Sequence, residues 1–332
     1  TQNRNASAAD GSGCIEVNMN AAVATPITRT NDLLTGMEWS PAQVRELLHL
    51  TADVKAHPDR YRGALAGRFI AMIFEKPSLR TRVTFEVGIA SLGGSSVFLD
   101  HTITPLGERE SIPDVAKSLE RWVHGIVARV FKRQSLEQLA ANAHIPVINA
   151  LSDLYHPCQA FCDFFTLEER FGNLRGLKLA YVGDGNNTCH SLLSAGARVG
   201  AHLRIATPAG YEPDPAIVAE AKRVAREARG KIEILRSPEE AVAGVQAIYT
   251  DVWTSMGQEA ESAVRDAAFA GYQVNDELFS HAAPDAIFMH CLPAHRGSEV
   301  SEEVMDSPRS IVFEQAENRL HVQKAILLTL LN

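Results

Sequence analysis

From residue 69 onward, short apolar runs alternate with amphipathic stretches, and this alternation constrains the fold more than any other feature of the chain. Runs at 69–74, 95–99, 126–131 and 146–148 read as strands. Helices are expected at 40–55, with Ser40 as N-cap and Pro41 in the first turn, at 111–122, with Val115, Leu119 and Trp122 on one face, and at 135–143. A helix continuing through 163–172 leads into a second series. Its strands are expected at 177–182, 202–206, 232–235, 247–253 and 286–289, and an amphipathic helix at 316–331 closes the chain. Strands alternating with helices bury both faces of a parallel sheet through right-handed crossovers. The expected class is therefore α/β: two doubly wound parallel-sheet domains with an interdomain cleft, where such folds place ligands.

At 332 residues the chain has room for two such domains. A net charge of −8 and the lack of a basic run argue against a nucleic-acid-binding surface. No apolar stretch reaches membrane-spanning length. The five cysteines are scattered and odd in number, which fits a cytoplasmic or other reducing setting better than a disulfide framework. Residues 1–26 are polar, lack periodicity and carry no signal-peptide pattern, so they read as a disordered tail.

Chemistry-bearing residues fall where strands are expected to end. Residues 74–86 run from an apolar strand through Pro77-Ser78 into a helix, so Ser78, Leu79, Arg80 and Thr81 sit at its N-terminus. Free N–H groups there, two hydroxyls and a guanidinium make an anion site. For the short motif alone, an N-cap serine with solvated arginines is an equal reading. Arg129 interrupts an apolar strand and needs an anion or an internal salt bridge. His156 and Gln159 follow the last strand of the first series. Cys158 and Cys162 lie beside them, but no second ligand pair appears at finger spacing, so no metal site is expected. Gly183-Asp184-Gly185-Asn186-Asn187 has the start of a dinucleotide fingerprint, but Thr188 replaces its third glycine.

Taken together and in order, these motifs resemble the aspartate/ornithine carbamoyltransferase family from about Thr30 onward. The matching segments are Ser-x-Arg-Thr-Arg at 78–82, His-Pro-x-Gln at 156–159, Asp-x-x-x-Ser-Met-Gly at 251–257 and His-Cys-Leu-Pro at 290–293. The last two are the ornithine-type signatures. The resemblance implies that carbamoyl phosphate is held by Ser78, Leu79, Arg80, Thr81, Arg129, His156, Gln159, Leu292 and Arg319. It implies that ornithine is held by Asn187, Asp251, Ser255, Met256 and Cys291. The chemistry would fall to Arg80, Arg129, His156, Asp251 and Cys291, giving citrulline and phosphate in arginine metabolism. An acidic Asp251 suits a cationic diamino acid, and Ser255 with the Met256 amide suits its α-carboxylate. No metal or organic cofactor is implied, and the assembly would be a homotrimer or a multiple of trimers. The implied division is a tail at 1–26, a carbamoyl phosphate-binding domain at 27–163, an ornithine-binding domain at 164–312, and a helix at 313–332 packing back on the first domain.

Two positions depart from the commonest pattern. Leu79 stands where the signature has Thr, and Pro105 stands where many relatives present a polar side chain to the neighbouring subunit. Other amine acceptors, such as an N-acylornithine or putrescine, a nicotinamide-dependent oxidoreductase and a non-catalytic binding protein remain as alternatives.

Overall fold

The computed structural model describes residues 32–255 and 259–331; the expected tail at 1–26 and Met256 lie outside them. The first sheet comprises β1 (Phe69–Phe74), β2 (Ser95–Asp100), β3 (Gly125–Arg129) and β4 (Val147–Leu151). Its order is β2-β1-β3-β4 and every pairing is parallel. Helices α1 (Pro41–Ala56), α2 (Leu79–Ser91), α3 (Ile112–Leu119), α4 (Arg133–Asn142) and α5 (Pro157–Phe171) accompany it. The second sheet holds β5 (Lys178–Val182), β6 (His202–Ala206), β7 (Lys231–Leu235), β8 (Ala247–Thr250) and β9 (Ile287–His290). It too is parallel, in the order β7-β6-β5-β8-β9. Its helices are α6 (Asn187–Val199), α7 (Pro215–Glu227), α8 (Pro238–Val242), α9 (Ser262–Ala268), α10 (Asp276–Ser280) and α11 (Glu302–Met305). The chain closes with α12 (Val312–Leu331), which packs on α1, α2 and α5 and so returns to the first unit.

Local chemistry explains these boundaries. Ser40 and Gln43 form a reciprocal capping box at α1. β1 and β3 are buried almost throughout, as parallel strands covered on both faces must be. One apolar cluster runs through both units, joining Phe161, Phe164 and Phe165 of α5 to Leu192 and Leu193 of α6 and Ile326 of α12. The buried Arg198 of α6 donates to the carbonyls of Trp39 and Met37, tying the second unit to the segment before α1.

In both sheets the strand order reverses beside the first strand of the unit. Ligands of open α/β sheets bind where the order reverses, at the carboxyl ends of the strands. Residues 75–81 leave β1 there and the chain leaves β3 after Arg129; in the second unit, Gly183–Asn187 leave β5 and Asp251 follows β8.

Strand β3 ends at Arg129 rather than 131, β4 runs to Leu151 rather than 148, and three other differences from expectation have a visible cause. Helix α3 stops at Leu119, and the Trp122 N–H closes a tighter turn onto the Leu119 carbonyl; the indole is 71% exposed rather than on the buried face. Strand β8 ends at Thr250 instead of 253, because Asp251 turns away and caps the Val252 N–H. Helix α12 starts at Val312, about one turn before 316, anchored by buried Gln315.

Candidate active site

The carboxyl ends of β1, β3, β5 and β8, together with those of β4 and β9, surround one cleft of about 350 Å³, lined by residues from both units. Ser78 is the N-cap of α2, and its Oγ accepts from the Thr81 N–H at 3.3 Å. Ser78 thus has the capping role, and the cap leaves it on the cleft wall. Leu79, at the first helical position, is 75% exposed and offers the site only its backbone. Thr81 is buried, and its Oγ1 accepts from Arg319 Nη2 at 2.5 Å, joining α2 to α12.

Arg80, Arg129 and Arg319 all line the cleft, and none forms an ion pair with a carboxylate among the described residues. Burial and then Arg319 lower the Arg129 pKa to about 10, and the same causes lower that of Arg80. The Nε atoms of Arg129 and Arg319 are buried without a partner among the described residues. Crowded, underpaired guanidiniums at a helix N-terminus are chemically suited to a multiply charged oxyanion. His156 stands beside them. Burial, followed by Arg319 and Arg129, holds its pKa well below the ordinary imidazole range, so the ring is neutral at neutral pH.

The second unit supplies the other wall. Asp251 is buried, and the partly buried Cys291 donates its thiol proton to Asp251 Oδ1 at 3.0 Å. Burial and then Asp251 push the thiol well above its usual range, so it stays protonated. Asn186, the N-cap of α6, donates to Asp251 Oδ2 at 2.9 Å. Asn187 lines the cleft while its amide donates to the Ser152 carbonyl, bridging the two units. Ser255, Leu292 and Thr254 complete this wall, and the Thr254 hydroxyl is buried without a partner among the described residues. A second basin of about 780 Å³ adjoins it, where Arg265 pairs with Asp184 at 2.9 Å.

Gln159 follows His156 by one turn of α5. It is buried, its Nε2 donates to Asp163 Oδ1 at 2.8 Å, and its Oε1 has no partner among the described residues. Pro105 lines a separate depression with Leu106 and Ile112. Motif reading missed Asn186, Ser152, Thr254 and Asp163. Asn186 carried a signal, an asparagine just before a helix; the others are set by contacts between distant segments.

Asp251, His290 and Cys291 bring one ligand atom each within 4.8 Å of one another. His290 nevertheless has both ring nitrogens engaged, Nδ1 with the Leu292 N–H and Nε2 with Glu299. The donor set does not fit a metal without breaking those bonds.

Residues 31–169 match the family model described as aspartate/ornithine carbamoyltransferase, carbamoyl-P binding domain, and residues 175–330 match its Asp/Orn binding domain. The chain belongs to the aspartate/ornithine carbamoyltransferase family. A relative from this carbamoyltransferase family, ornithine carbamoyltransferase of Thermus thermophilus, is 51% identical over 92% of this chain and 98% of its own. The enzyme of the same name from Thermococcus kodakarensis is 55% identical over 79% of this chain and 84% of its own. The solved ornithine carbamoyltransferase from Pyrococcus furiosus superposes with a TM-score of 0.88 at 47% identity, covering 90% of this chain and 96% of that one.

Proposed function

We propose that this carbamoyltransferase moves the carbamoyl group of carbamoyl phosphate to the δ-amine of L-ornithine, giving L-citrulline and phosphate in arginine metabolism. The observation that carries this reading is one cleft holding both a cluster of arginines without carboxylate partners among the described residues and an Asp251–Cys291 pair. The first suits a phosphate and the second an alkylammonium group. The relatives' names point to the same substrates.

Ser78, Leu79 through its N–H, Arg80, Thr81, Arg129 and Arg319 hold the phosphate and stabilise its growing charge as it leaves. Neutral His156, with Arg129 and Thr81, donates to the carbamoyl oxygen, where negative charge develops in the tetrahedral intermediate. The free Oε1 of Gln159 and the Leu292 carbonyl accept from the carbamoyl NH2. Asn187, Ser255 and Met256 hold the α-amino and α-carboxylate ends of ornithine, and Asp251 with Cys291 orients its δ-nitrogen. The amine attacks in its neutral form: a C–N bond forms, the C–O bond to phosphate breaks, and the departing phosphate takes up the proton the nitrogen releases. A free alkylamine titrates near ~10.4, so activity rises toward alkaline pH.

Residues 27–163 serve as the carbamoyl phosphate-binding unit, 164–312 as the ornithine-binding unit, and 313–332 as the returning helix. A homotrimer, or a multiple of trimers, is supported by exposed apolar side chains at the edge of the first sheet, among them Val97 and Trp122. A cytoplasmic setting is supported by the free thiols of Cys158, Cys162, Cys189 and Cys291; no helix among the described residues is long and apolar enough to cross a membrane.

The test is citrulline formation from carbamoyl phosphate and L-ornithine, with aspartate, putrescine and N-acetylornithine as parallel acceptors. Turnover with ornithine alone is expected. Preference for another acceptor would overturn the roles given to Asp251 and Cys291. Folded protein inactive with all four would make it a binding protein on this fold.

A further inference from the structure

Strand β9 ends in His290, whose side chain is fully buried together with that of Glu299. His290 Nδ1 lies 2.8 Å from the Leu292 backbone nitrogen, and Nε2 lies 3.2 Å from Glu299 Oε1. A backbone N–H can only donate, so Nδ1 must accept and the ring proton must sit on Nε2, directed at Glu299. The same Glu299 oxygen accepts from the His295 N–H at 2.6 Å. Leu292 has φ +59°, a left-handed conformation that a residue with a Cβ adopts only where its surroundings hold it. Its N–H donates to His290 Nδ1 in that conformation. The residue before it places its thiol on Asp251.

We propose that Glu299 is a positioning residue for carbamoyl transfer: by fixing His290 as the Nε2–H tautomer, it pins the left-handed Leu292 turn and so sets Cys291 and Leu292 against the reacting groups. This rests on the function proposed above. Without an acceptor at position 299, the His290 proton is free to move to Nδ1, where N–H would face N–H and expel Leu292 from its turn. An apolar side chain would fill the same space without desolvating a carboxyl group, but it could not choose the tautomer. In metal sites, the partners that orient a ligating histidine affect affinity or activity about 10- to 100-fold when removed, and a loss of that order is expected here by analogy.

The experiment compares Glu299→Gln, Glu299→Leu, His290→Asn and His290→Gln in citrulline formation. It reads kcat, both KM values and inhibition by inorganic phosphate. Glu299→Gln keeps an acceptor oxygen and retains near wild-type kcat. Glu299→Leu lowers kcat about 10- to 100-fold while phosphate inhibition is unchanged, since the phosphate groups lie on the other unit. Asparagine places an oxygen close to the position of Nδ1, so His290→Asn keeps more activity than His290→Gln. That pair carries the test if Glu299→Leu does not fold. The proposal is overturned if Glu299→Leu matches wild type, if Glu299→Gln falls as far as Glu299→Leu, if phosphate binding is lost in step with kcat, or if His290→Gln equals or exceeds His290→Asn. A wild-type protein that forms no citrulline would instead overturn the function. The tautomer is then read from nitrogen-15 spectra, which must show the His290 proton on Nε2 in wild type and off it in Glu299→Leu.

Discussion

Arg129 is buried beside two other guanidiniums, with its Nε unpaired among the described residues. Burial and Arg319 bring its folded-state pKa down to about 10, below the unfolded value. The unfolded chain binds the proton more tightly, so the charged group opposes folding at neutral pH, and stability recovers only as pH rises through and beyond about 10. Arg129→Met should therefore melt at a higher temperature than wild type in a buffer without multivalent anions, and inorganic phosphate should stabilise it less than it stabilises wild type. Its kcat/KM for carbamoyl phosphate should fall by about 10²- to 10³-fold. A melting temperature below wild type would show that Arg129 is a structural residue. At this scale the sequence exposed the residues whose chemistry is anomalous for their place, such as an arginine in an apolar strand. It did not expose Asp163 or Gln315, whose meaning comes from contact across 152 positions.

Among the elements, α5 and α12 are joined by that contact. Asp163 Oδ1 accepts from Gln159 Nε2 at 2.8 Å and from Gln315 Nε2 at 2.6 Å, and Gln315 Oε1 accepts from the His290 N–H. Burial raises the Asp163 pKa to about 7, against the opposing pull of Gln159 and Gln315. A raised carboxyl pKa favours the fold below the unfolded value and loses that advantage as pH climbs to about 7. Asp163→Asn keeps an acceptor oxygen without the ionisation. Urea denaturation from mildly acidic to neutral pH should show the variant gaining stability relative to wild type as pH rises. A constant difference across that range would contradict the assignment. The alternation of strands and helices was legible because apolar runs and caps are local signals. The early start of α12 and the exposure of Trp122 were not, because the first depends on Gln315 meeting α5 and β9 and the second on where α3 ends.

For the whole molecule, Phe69, Val83, Val87, Val97, Ile103 and Trp122 are between 45% and 93% exposed, all within the first unit. Strand β2 is the edge of its sheet, and Val83 and Val87 lie one turn apart on α2. An apolar edge of this kind is covered by another chain or becomes a liability. Sedimentation should show a mass of three chains or a multiple of it, and Val87→Glu should release single chains. A wild-type protein that sediments as one chain at assay concentration would contradict the trimer. On the proposed function, the arginine corner and the Asp251–Cys291 pair address two substrates in one cleft. Calorimetry with a single compound in which a phosphonate is joined through an acetyl group to the δ-nitrogen of L-ornithine puts this to the test. The compound should bind at least about 10²-fold tighter than phosphonoacetate, with that advantage lost in Asp251→Asn. Binding no tighter than phosphonoacetate would mean that the two walls do not serve one reaction.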